Sequence, residues 1–249
     1  MVVDRYRIYG PDATIVLPKP KKNVTLKNRK NNRTQNEIRP VFVNTGTIKQ
    51  ANGSCYFEAN ALKVICSVYG PRESTQRTQS STKGILSCDF KFAPFATVKR
   101  RGYAKDDQER DFSLILEQAL TPAIQVELFP KSRVDVYVLV LESDGCNASL
   151  AAAITCASMA LANAGIAMFD LVTGCSAGFL NGMTGLDLDE DEESVIDGAV
   201  VLATMPSLNQ VTLILQTGES SVDDTSKAIE LCVDSCSQIK EILIKSINN

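Results

Sequence analysis

The chain has 249 residues, 44% of them hydrophobic, carries a formal net charge of −3 and contains no histidine. The missing histidine excludes Ser-His-Asp and Cys-His catalysis and removes the commonest zinc ligand. The eight cysteines form no Cys-x-x-Cys pair and mostly lie in apolar runs, which is typical of small buried side chains in a reducing, intracellular compartment.

The N-terminal segment differs in charge from the rest of the chain. Residues 1–38 hold nine Lys and Arg against three acids, a balance of +6, so the remainder carries −9. Such a basic, apolar-poor segment predicts a partly ordered arm over residues 1–37 that touches nucleic acid or an acidic neighbour. A merely solvated tail has the same composition, so both alternatives stay open at this point.

Period-2 alternation of apolar residues predicts a run of strands once the arm ends. The predicted strands cover residues 41–48, 55–59, 64–69 and 85–92. Asn52-Gly53 lies between the first two, and this dipeptide favours a hairpin. Residues 94–107 then form a basic loop that contains Lys99, Arg100 and Arg101.

The second half of the chain mixes helices with strand pairs. An apolar stripe at helical spacing predicts a helix around residues 112–120, which Pro122 ends or kinks. After a strand at 134–141, the predicted elements are a buried helix at 148–164, strand pairs at 168–176 with 179–188 and at 195–204 with 210–216, and a closing helix at 222–247. The buried helix is too short for a convincing membrane span. This order predicts an α+β fold with a mixed or antiparallel sheet.

The segment 186–211 combines a dense cluster of acids with a buried-looking strand. The acids are Asp187, Asp189, Glu190, Asp191, Glu192 and Glu193. Acids just before a core strand can be metal ligands or a general acid in phosphoryl chemistry. A solvated acidic loop has the same composition, so residue types alone do not separate the two.

Several segments together resemble the RNase PH family. They are IRP at 38–40, GTIKQANGSCYFEANALKVICSVYGP at 46–71, FP at 129–130, ALANAGIAMFDLVTG at 160–174 and LDL…MPSLNQVTL at 186–213. The match is greatest to the ring-forming subunits of exosomes, and segments 86–96 and 109–123 resemble one eukaryotic subunit type in particular. The resemblance implies a single RNase PH-like domain over residues 38–249, with mixed sheets, packed helices and the βαβ architecture of ribosomal protein S5 domain 2.

Active members of the family degrade RNA from its 3′ end by phosphorolysis, and the resemblance locates three elements of that activity. The phosphate is held by a Gly-Gly-Thr-Arg turn at the start of the buried helix. Here that segment reads DGCNASLAA, where Gly145 survives and Leu150 takes the Arg position. No Lys or Arg lies anywhere between Val134 and Gly165. The site therefore lacks the planar cation that suits phosphate oxygens.

The other two elements are also degenerate. Of the acids that serve a metal or the leaving oxygen in active relatives, Asp187 matches the first, Glu193 the second and Ala199 the third. The two Arg residues that grip RNA fall on Asp107 and Gln108, although Arg110 substitutes if a gap is allowed. Because phosphoryl transfer depends on positioning and charge neutralisation, these losses predict a pseudoenzyme without a cofactor or metal.

The resemblance thus implies a non-catalytic subunit of the RNA exosome ring, in the nucleus, nucleolus and cytoplasm. It implies a second RNase PH-like chain as dimer partner, a hexameric ring, an S1-domain cap protein and RNA threading the ring, with no membrane. The alternatives are an active phosphate-dependent 3′-5′ exoribonuclease, supported by Asp187, and an interaction domain unrelated to RNA. We expect Lys99, Arg100 and Arg101 to contact RNA, and Asp187→Asn to change stability by no more than about ±0.5 kcal/mol.

Overall fold

The computed structural model describes Arg29 and residues 33–73, 83–180 and 183–247. Most of the predicted arm lies outside the described residues. The strands are β1 Val41–Thr45, β2 Gly53–Ala59, β3 Leu62–Glu73, β4 Ile85–Phe92, β5 Ser132–Glu142, β6 Thr173–Leu180, β7 Met183–Leu186, β8 Gly198–Met205 and β9 Gln210–Gly218. The helices are α1 Asp107–Leu120, α2 Cys146–Asn163, α3 Glu190–Glu193 and α4 Val222–Ile247, with short 3₁₀ turns at Thr121–Ala123 and Val126–Leu128.

Two sheets enclose the central helix α2. The first has the strand order β1-β2-β3-β5-β4, in which only the β4–β5 pair is parallel, and the second is the antiparallel sheet β7-β6-β8-β9. Helix α2 packs against β2 and β3 on one side and against β6 and β8 on the other. Helix α1 covers β4, and α4 covers the opposite face of the second sheet. The predicted α+β class with mixed sheets is confirmed.

The close spacing of these layers depends on small residues. Helix α2 is buried along nearly its whole length and consists largely of Ala, Ser and Cys. A Cβ atom at Gly53 would collide with the carbonyl of Ala160, and one at Gly174 would lie 2.5 Å from the carbonyl of Ala151. Both sheets therefore approach the backbone of α2 at positions where only glycine fits. Among the described helices, α2 is the one long and apolar enough to span a membrane, and 78% of it is buried inside the protein.

The predicted strand pair at 168–176 and 179–188 has the wrong boundaries. The actual pair is β6 with β7, and Leu180 lies opposite Met183. The prediction placed a break at Ala177-Gly178, but β6 continues through both residues. Gly178 marks a close approach instead, because a Cβ atom there would collide with the side chain of Leu188. The β7 strand delivers the chain directly into the acidic segment.

Candidate functional site

The acidic segment 187–193, which we call the acidic loop, begins at the end of β7 with an unusual backbone conformation. Asp187 has a φ of 51°, in the left-handed region that residues other than Gly rarely adopt. Its amide donates to the carbonyl of Ser176 at 2.8 Å. Asp189 then caps the short helix α3 in a capping box with Glu192. The acids of this loop consequently point in fixed directions.

Asp187 is bound to a buried arginine from the start of the folded domain. The Nε and Nη2 atoms of Arg39 donate to the two carboxylate oxygens of Asp187 at 2.8 and 2.5 Å, and the Arg39 amide adds a third bond at 3.0 Å. The remaining Nη1 donates to Asp144 at 2.7 Å. Burial raises the pKa of Asp187, but the hydrogen bonds and charge of Arg39 outweigh it and hold the pKa below its ordinary value. Arg39 therefore joins the acidic loop to the turn before α2.

This pairing overturns the expectation that Asp187→Asn is nearly neutral for stability. The side chain of Arg39 is 0% exposed and that of Asp187 is 18% exposed. Removing Asp187 leaves the buried Arg39 with Asp144 as its only direct carboxylate partner among the described residues, and breaking a buried ion pair costs several kcal/mol, on the order of 3 to 5. The estimate of about ±0.5 kcal/mol applies to surface positions and is wrong here.

Two arginines of the arm extend the same network. Arg29 donates to both carboxylate oxygens of Glu192 at 3.0 Å and to the carbonyl of Leu186 at 2.8 Å. Arg33 donates to Asp189 at 3.0 Å and lies 3.7 Å from Asp187. Burial raises the pKa of Glu192, but the hydrogen bond and charge of Arg29 lower it overall. The described part of the basic arm thus binds the acidic loop of its own chain.

These contacts fit neither of the two interpretations of the acidic loop, the solvated loop and the metal site. Asp187, Asp189 and Glu192 bind arginines inside the protein, so a solvated loop is wrong for them. A divalent metal does not fit either, because the guanidinium of Arg39 lies between Asp144 and Asp187, 3.9 Å from Asp189. Among the described residues, no group of three or more His, Cys, Asp or Glu side chains is arranged to hold a metal ion.

Glu193 has a different partner, the N-terminus of α2. Its carboxylate accepts the amides of Cys146 at 2.6 Å and Asn147 at 3.2 Å, together with the side-chain amide of Asn147 at 2.7 Å. The N-terminus of a helix is a natural anion site, since free N–H groups and the helix dipole both favour negative charge. Burial raises the pKa of Glu193 above its ordinary value, although these hydrogen bonds oppose it. A carboxylate of the chain itself fills the anion site at this helix.

Leu150 and Ala199, which take the positions of an arginine and an acid in active relatives, are both buried. Leu150 is fully buried in the core on α2. Ala199 is buried on β8 and, with Leu188 and Ile196, lines a small void beside Glu193. Neither buried position can hold an unpaired charge, because moving an unpaired ion out of water carries a large desolvation cost.

The residues predicted to contact RNA do not all behave alike. Lys99 and Arg100 are exposed on the basic loop. Arg101 is held against the protein, with its guanidinium 4.1 Å from the ring centre of Phe92 and Nη2 donating to Gln108 at 3.1 Å. Arg110 is exposed on α1, where it pairs with Asp107 at 2.9 Å. The RNA contact of Lys99, Arg100 and Arg101 stays a prediction.

A cleft of about 700 Å³ separates the basic loop from α3. Residues 97–102 and Asp106 form one wall, and Glu190, Asp191 and Ser194 form the other. Gln108 connects the basic loop to the anion site, because its Nε2 lies 3.5 Å from the sulfur of Cys146 at the start of α2. The cleft therefore lies between the two charged loops.

Sequence reasoning missed Arg29, Arg33, Arg39 and Asp144. The charge imbalance between residues 1–38 and the rest of the chain was the available signal. It indicated an acidic neighbour for the arm without showing that the neighbour is part of the same chain.

Comparisons with known proteins agree with this architecture. The 3′ exoribonuclease (RNase PH) family model for domain 1 matches residues 37–167, and the one for domain 2 matches residues 170–234. The exosome complex component mtr3 of Schizosaccharomyces pombe is 36% identical over 96% of this chain and 94% of its own length. The RRP41-like exosome component of Arabidopsis thaliana is 39% identical over 86% of this chain and 82% of its own length.

A solved structure supports the fold independently. Rice Rrp46 superposes with a TM-score of 0.77 at 24% identity, covering 86% of this chain and 98% of that one. The subunit type that segments 86–96 and 109–123 resemble is the Mtr type, and the S. pombe relative is named mtr3. The boundary between arm and domain at residue 38 stays a prediction.

Proposed function

The chain belongs to the RNase PH family of 3′ exoribonucleases, and we propose that it is a non-catalytic subunit of the RNA exosome ring. In this role it shapes the channel for RNA and docks partner subunits, so that RNA is processed and degraded from the 3′ end by a separate nuclease. The relatives named above are exosome components, which supports the assembly. This chain's own residues support the loss of catalysis.

The observation that carries the proposal is the carboxylate of Glu193 on the N-terminus of α2. In the family, the turn at this helix holds the phosphate that attacks RNA. Here three N–H donors at that turn already serve Glu193. An incoming phosphate would have to displace the carboxylate and would meet its negative charge. No arginine of the turn is present to compensate, since Leu150 takes that position.

The acids required for the leaving oxygen are also committed elsewhere. Asp187 is held ionised by Arg39, so it is a poor proton donor. Ala199 supplies no carboxylate. Each 1.36 kcal/mol of lost transition-state stabilisation costs about tenfold in rate, so losing the phosphate cation, one acid and a free donor set leaves no useful turnover. The active phosphorolytic exoribonuclease, whose support was Asp187, is therefore the weaker alternative.

Phosphate-dependent release of nucleoside diphosphates tests this directly. The assay is a time course on labelled RNA at high phosphate, with the purified chain and with the co-purified complex. We expect no phosphate-dependent product from the chain, and decay by the complex that is unchanged by Asp187→Asn. Glu192→Gln is the matched control, because it removes a carboxylate from the same loop and breaks a comparable ion pair. A phosphate-dependent product that disappears with Asp187→Asn and persists with Glu192→Gln would overturn the proposal.

The proposed partners are a second RNase PH-like subunit as dimer partner, the remaining members of a hexameric ring, an S1-domain cap protein and RNA within the ring. The proposed location is the nucleus and nucleolus, and also the cytoplasm. The edge strand β9 of the second sheet is largely exposed, which supports an obligate partner, since unpaired edges promote association. Expressed alone, the chain should self-associate or be poorly soluble, and co-expression with an RNase PH-like partner should rescue it. A stable monomer at micromolar concentration in gel filtration would contradict the ring assignment.

A further inference from the structure

In the structure the basic loop, predicted over residues 94–107, spans residues 93–106 between β4 and α1, and we propose that it is a preorganised platform for single-stranded RNA. In this platform Lys99 and Arg100 contact phosphates, Phe95 and Tyr103 stack on bases, and Arg101 is a positioning residue that keeps the loop in shape. The inference rests on the proposed function, because it requires RNA to pass the assembled ring.

The two ends of the loop are clamped together by one carboxylate. Glu109 on α1 is 2% exposed and accepts the amide of Phe92, where the loop begins, at 2.9 Å. Its other oxygen accepts the amide of Asp106, where the loop ends, at 3.1 Å. The carboxylate is buried and both bonds are charge-assisted, so they hold the two ends of the loop together whatever residues lie between them.

Arg101 attaches the middle of the loop to the end of β4 and the start of α1. Its guanidinium lies over the Phe92 ring, donates to Gln108 and lies 3.6 Å from Asp106, while its amide donates to the carbonyl of Pro94 at 3.2 Å. Its side chain is 17% exposed. A planar cation suits this stacked and hydrogen-bonded position, and lysine does not reproduce it. Arg101 therefore organises the loop and is poorly placed to serve as a free phosphate ligand.

Two lysines fasten the remaining part of the loop to β4. Lys105 donates to Asp89 at 2.7 Å, and Lys91 donates to the carbonyl of Tyr103 at 3.0 Å. The loop is thus tied at its ends, its middle and its second half. Such ties reduce the entropy that binding would otherwise cost.

The side chains that point outward combine aromatic and basic chemistry. Phe95 is 74% exposed and Tyr103 is 72% exposed, and Lys99 and Arg100 are exposed between them in sequence. Proteins bind single-stranded nucleic acid without sequence preference through this combination, with cations along the backbone and aromatic rings against the bases. An apolar patch alone would favour a protein partner, whereas the two cations favour a polyanion. The far wall of the cleft carries Glu190 and Asp191, so we place the RNA on the exposed tip of the loop.

The test uses the assembled complex and a fluorescent 20-nucleotide single-stranded RNA, titrated at several salt concentrations. Lys99→Ala with Arg100→Ala should weaken binding and flatten the dependence of log affinity on log salt, by about 0.7 per lost phosphate contact. Phe95→Leu with Tyr103→Leu should weaken binding about tenfold at unchanged salt slope, since stacking carries no net charge. With an RNA of the same length that lacks bases, the second pair of substitutions should have no effect.

Arg101→Lys separates positioning from direct contact. Lysine keeps the charge but lacks the planar group that stacks on the ring of Phe92. We therefore expect weaker RNA binding, together with faster hydrogen exchange of the backbone amides in residues 93–106. Gln108→Ala, which removes the partner of Arg101 and no charge, should act in the same direction. Full RNA affinity in Arg101→Lys would overturn the positioning role.

The inference as a whole fails if the aromatic variants bind normal RNA as wild type does, or lose equal affinity for RNA with and without bases. It also fails if any of these variants assembles poorly but binds RNA normally once assembled, because the loop would then contact a protein neighbour. Failure of the unsubstituted chain to enter a ring would instead count against the proposed function.

Discussion

The acidic loop and the basic loop are both short, highly charged connections, yet they use their charge in opposite ways. The acidic loop turns inward, where Asp187, Asp189 and Glu192 bind arginines and Glu193 caps α2. The basic loop is tied down through Arg101 and leaves Lys99 and Arg100 exposed. One loop has used its charge to hold the fold together, and the other keeps part of it available for a partner.

The difference matters because the effect of a charged side chain on stability depends on how deeply the side chain is buried. A buried pair whose partner is removed leaves a costly charge behind, whereas exposed charges are screened and contribute little. Substitutions in the acidic loop should therefore act mainly on stability, and those at the tip of the basic loop mainly on binding.

The largest effect is expected for Asp187→Asn. It should lower the free energy of unfolding by about 3 kcal/mol, because the buried Arg39 loses its main anionic partner. Asparagine tolerates the left-handed backbone at this position, so the change tests charge rather than conformation. Urea denaturation of the full chain measures the loss, with Asp111→Asn, an exposed acid on α1, as control. A loss no larger than that of the control would break the contrast.

Glu192→Gln should cost somewhat less, because Arg29 keeps three backbone carbonyl acceptors, and its effect should depend on pH. Losing a hydrogen bond to a charged group typically costs about 1.5 to 3 kcal/mol at neutral pH. The pKa of Glu192 is lowered from 4.5, so its contribution is present above pH 4.5 and is lost as the pH falls through the lowered pKa. The gap between wild type and variant should therefore narrow as the pH falls below 4.5 and close once it has passed through the lowered pKa. Urea denaturation at pH 7, 5, 4 and 3 checks it, and a gap constant over this range would contradict the ion-pair explanation.

Glu193→Ala should destabilise the chain by about 1 kcal/mol, as expected for a lost helix cap. Glu193→Gln keeps an acceptor oxygen. Because the pKa of Glu193 is raised in the folded protein, ionisation of its carboxylate destabilises the fold as the pH rises from 4.5 through that raised value. A neutral Gln at this position has no such pH-dependent cost. At pH 7 the melting temperature should fall for Ala and not for Gln. An equal fall in both would show that the negative charge itself is required.

The smallest effect on stability is expected for Lys99→Ala with Arg100→Ala. Both side chains are exposed, so the free energy of unfolding should change by no more than about 0.5 kcal/mol. Arg101→Ala is the matched comparison in the same loop and should cost about 1 kcal/mol, through the lost ring contact and hydrogen bond. Urea denaturation of the double variant and of Arg101→Ala measures the two changes in the free energy of unfolding. Equal losses would show that the three cations have the same role after all.

The sequence by itself determined the elements whose pattern is local. The bounds of β4 and α4 agree with the predicted ranges, and the helix at 148–164 is buried as expected. These agreements follow because period-2 and period-3.6 alternation reports which face of a strand or helix is buried. The degenerate positions Leu150 and Ala199 were assigned through the resemblance to the RNase PH family, because only an active relative shows that a charge is missing there, and this assignment stays a prediction.

Only the tertiary structure decided which charges meet. Arg39 and Asp187 are separated by 148 residues, and Arg29 and Glu192 by 163. Composition cannot distinguish a carboxylate in solvent from one on a guanidinium or a helix N-terminus, because the choice depends on which loops the sheets bring together. The same holds for Arg101, whose ring contact with Phe92 requires the loop to fold back on the strand that precedes it. Local pattern fixed the elements, and long-range packing assigned each charge its partner.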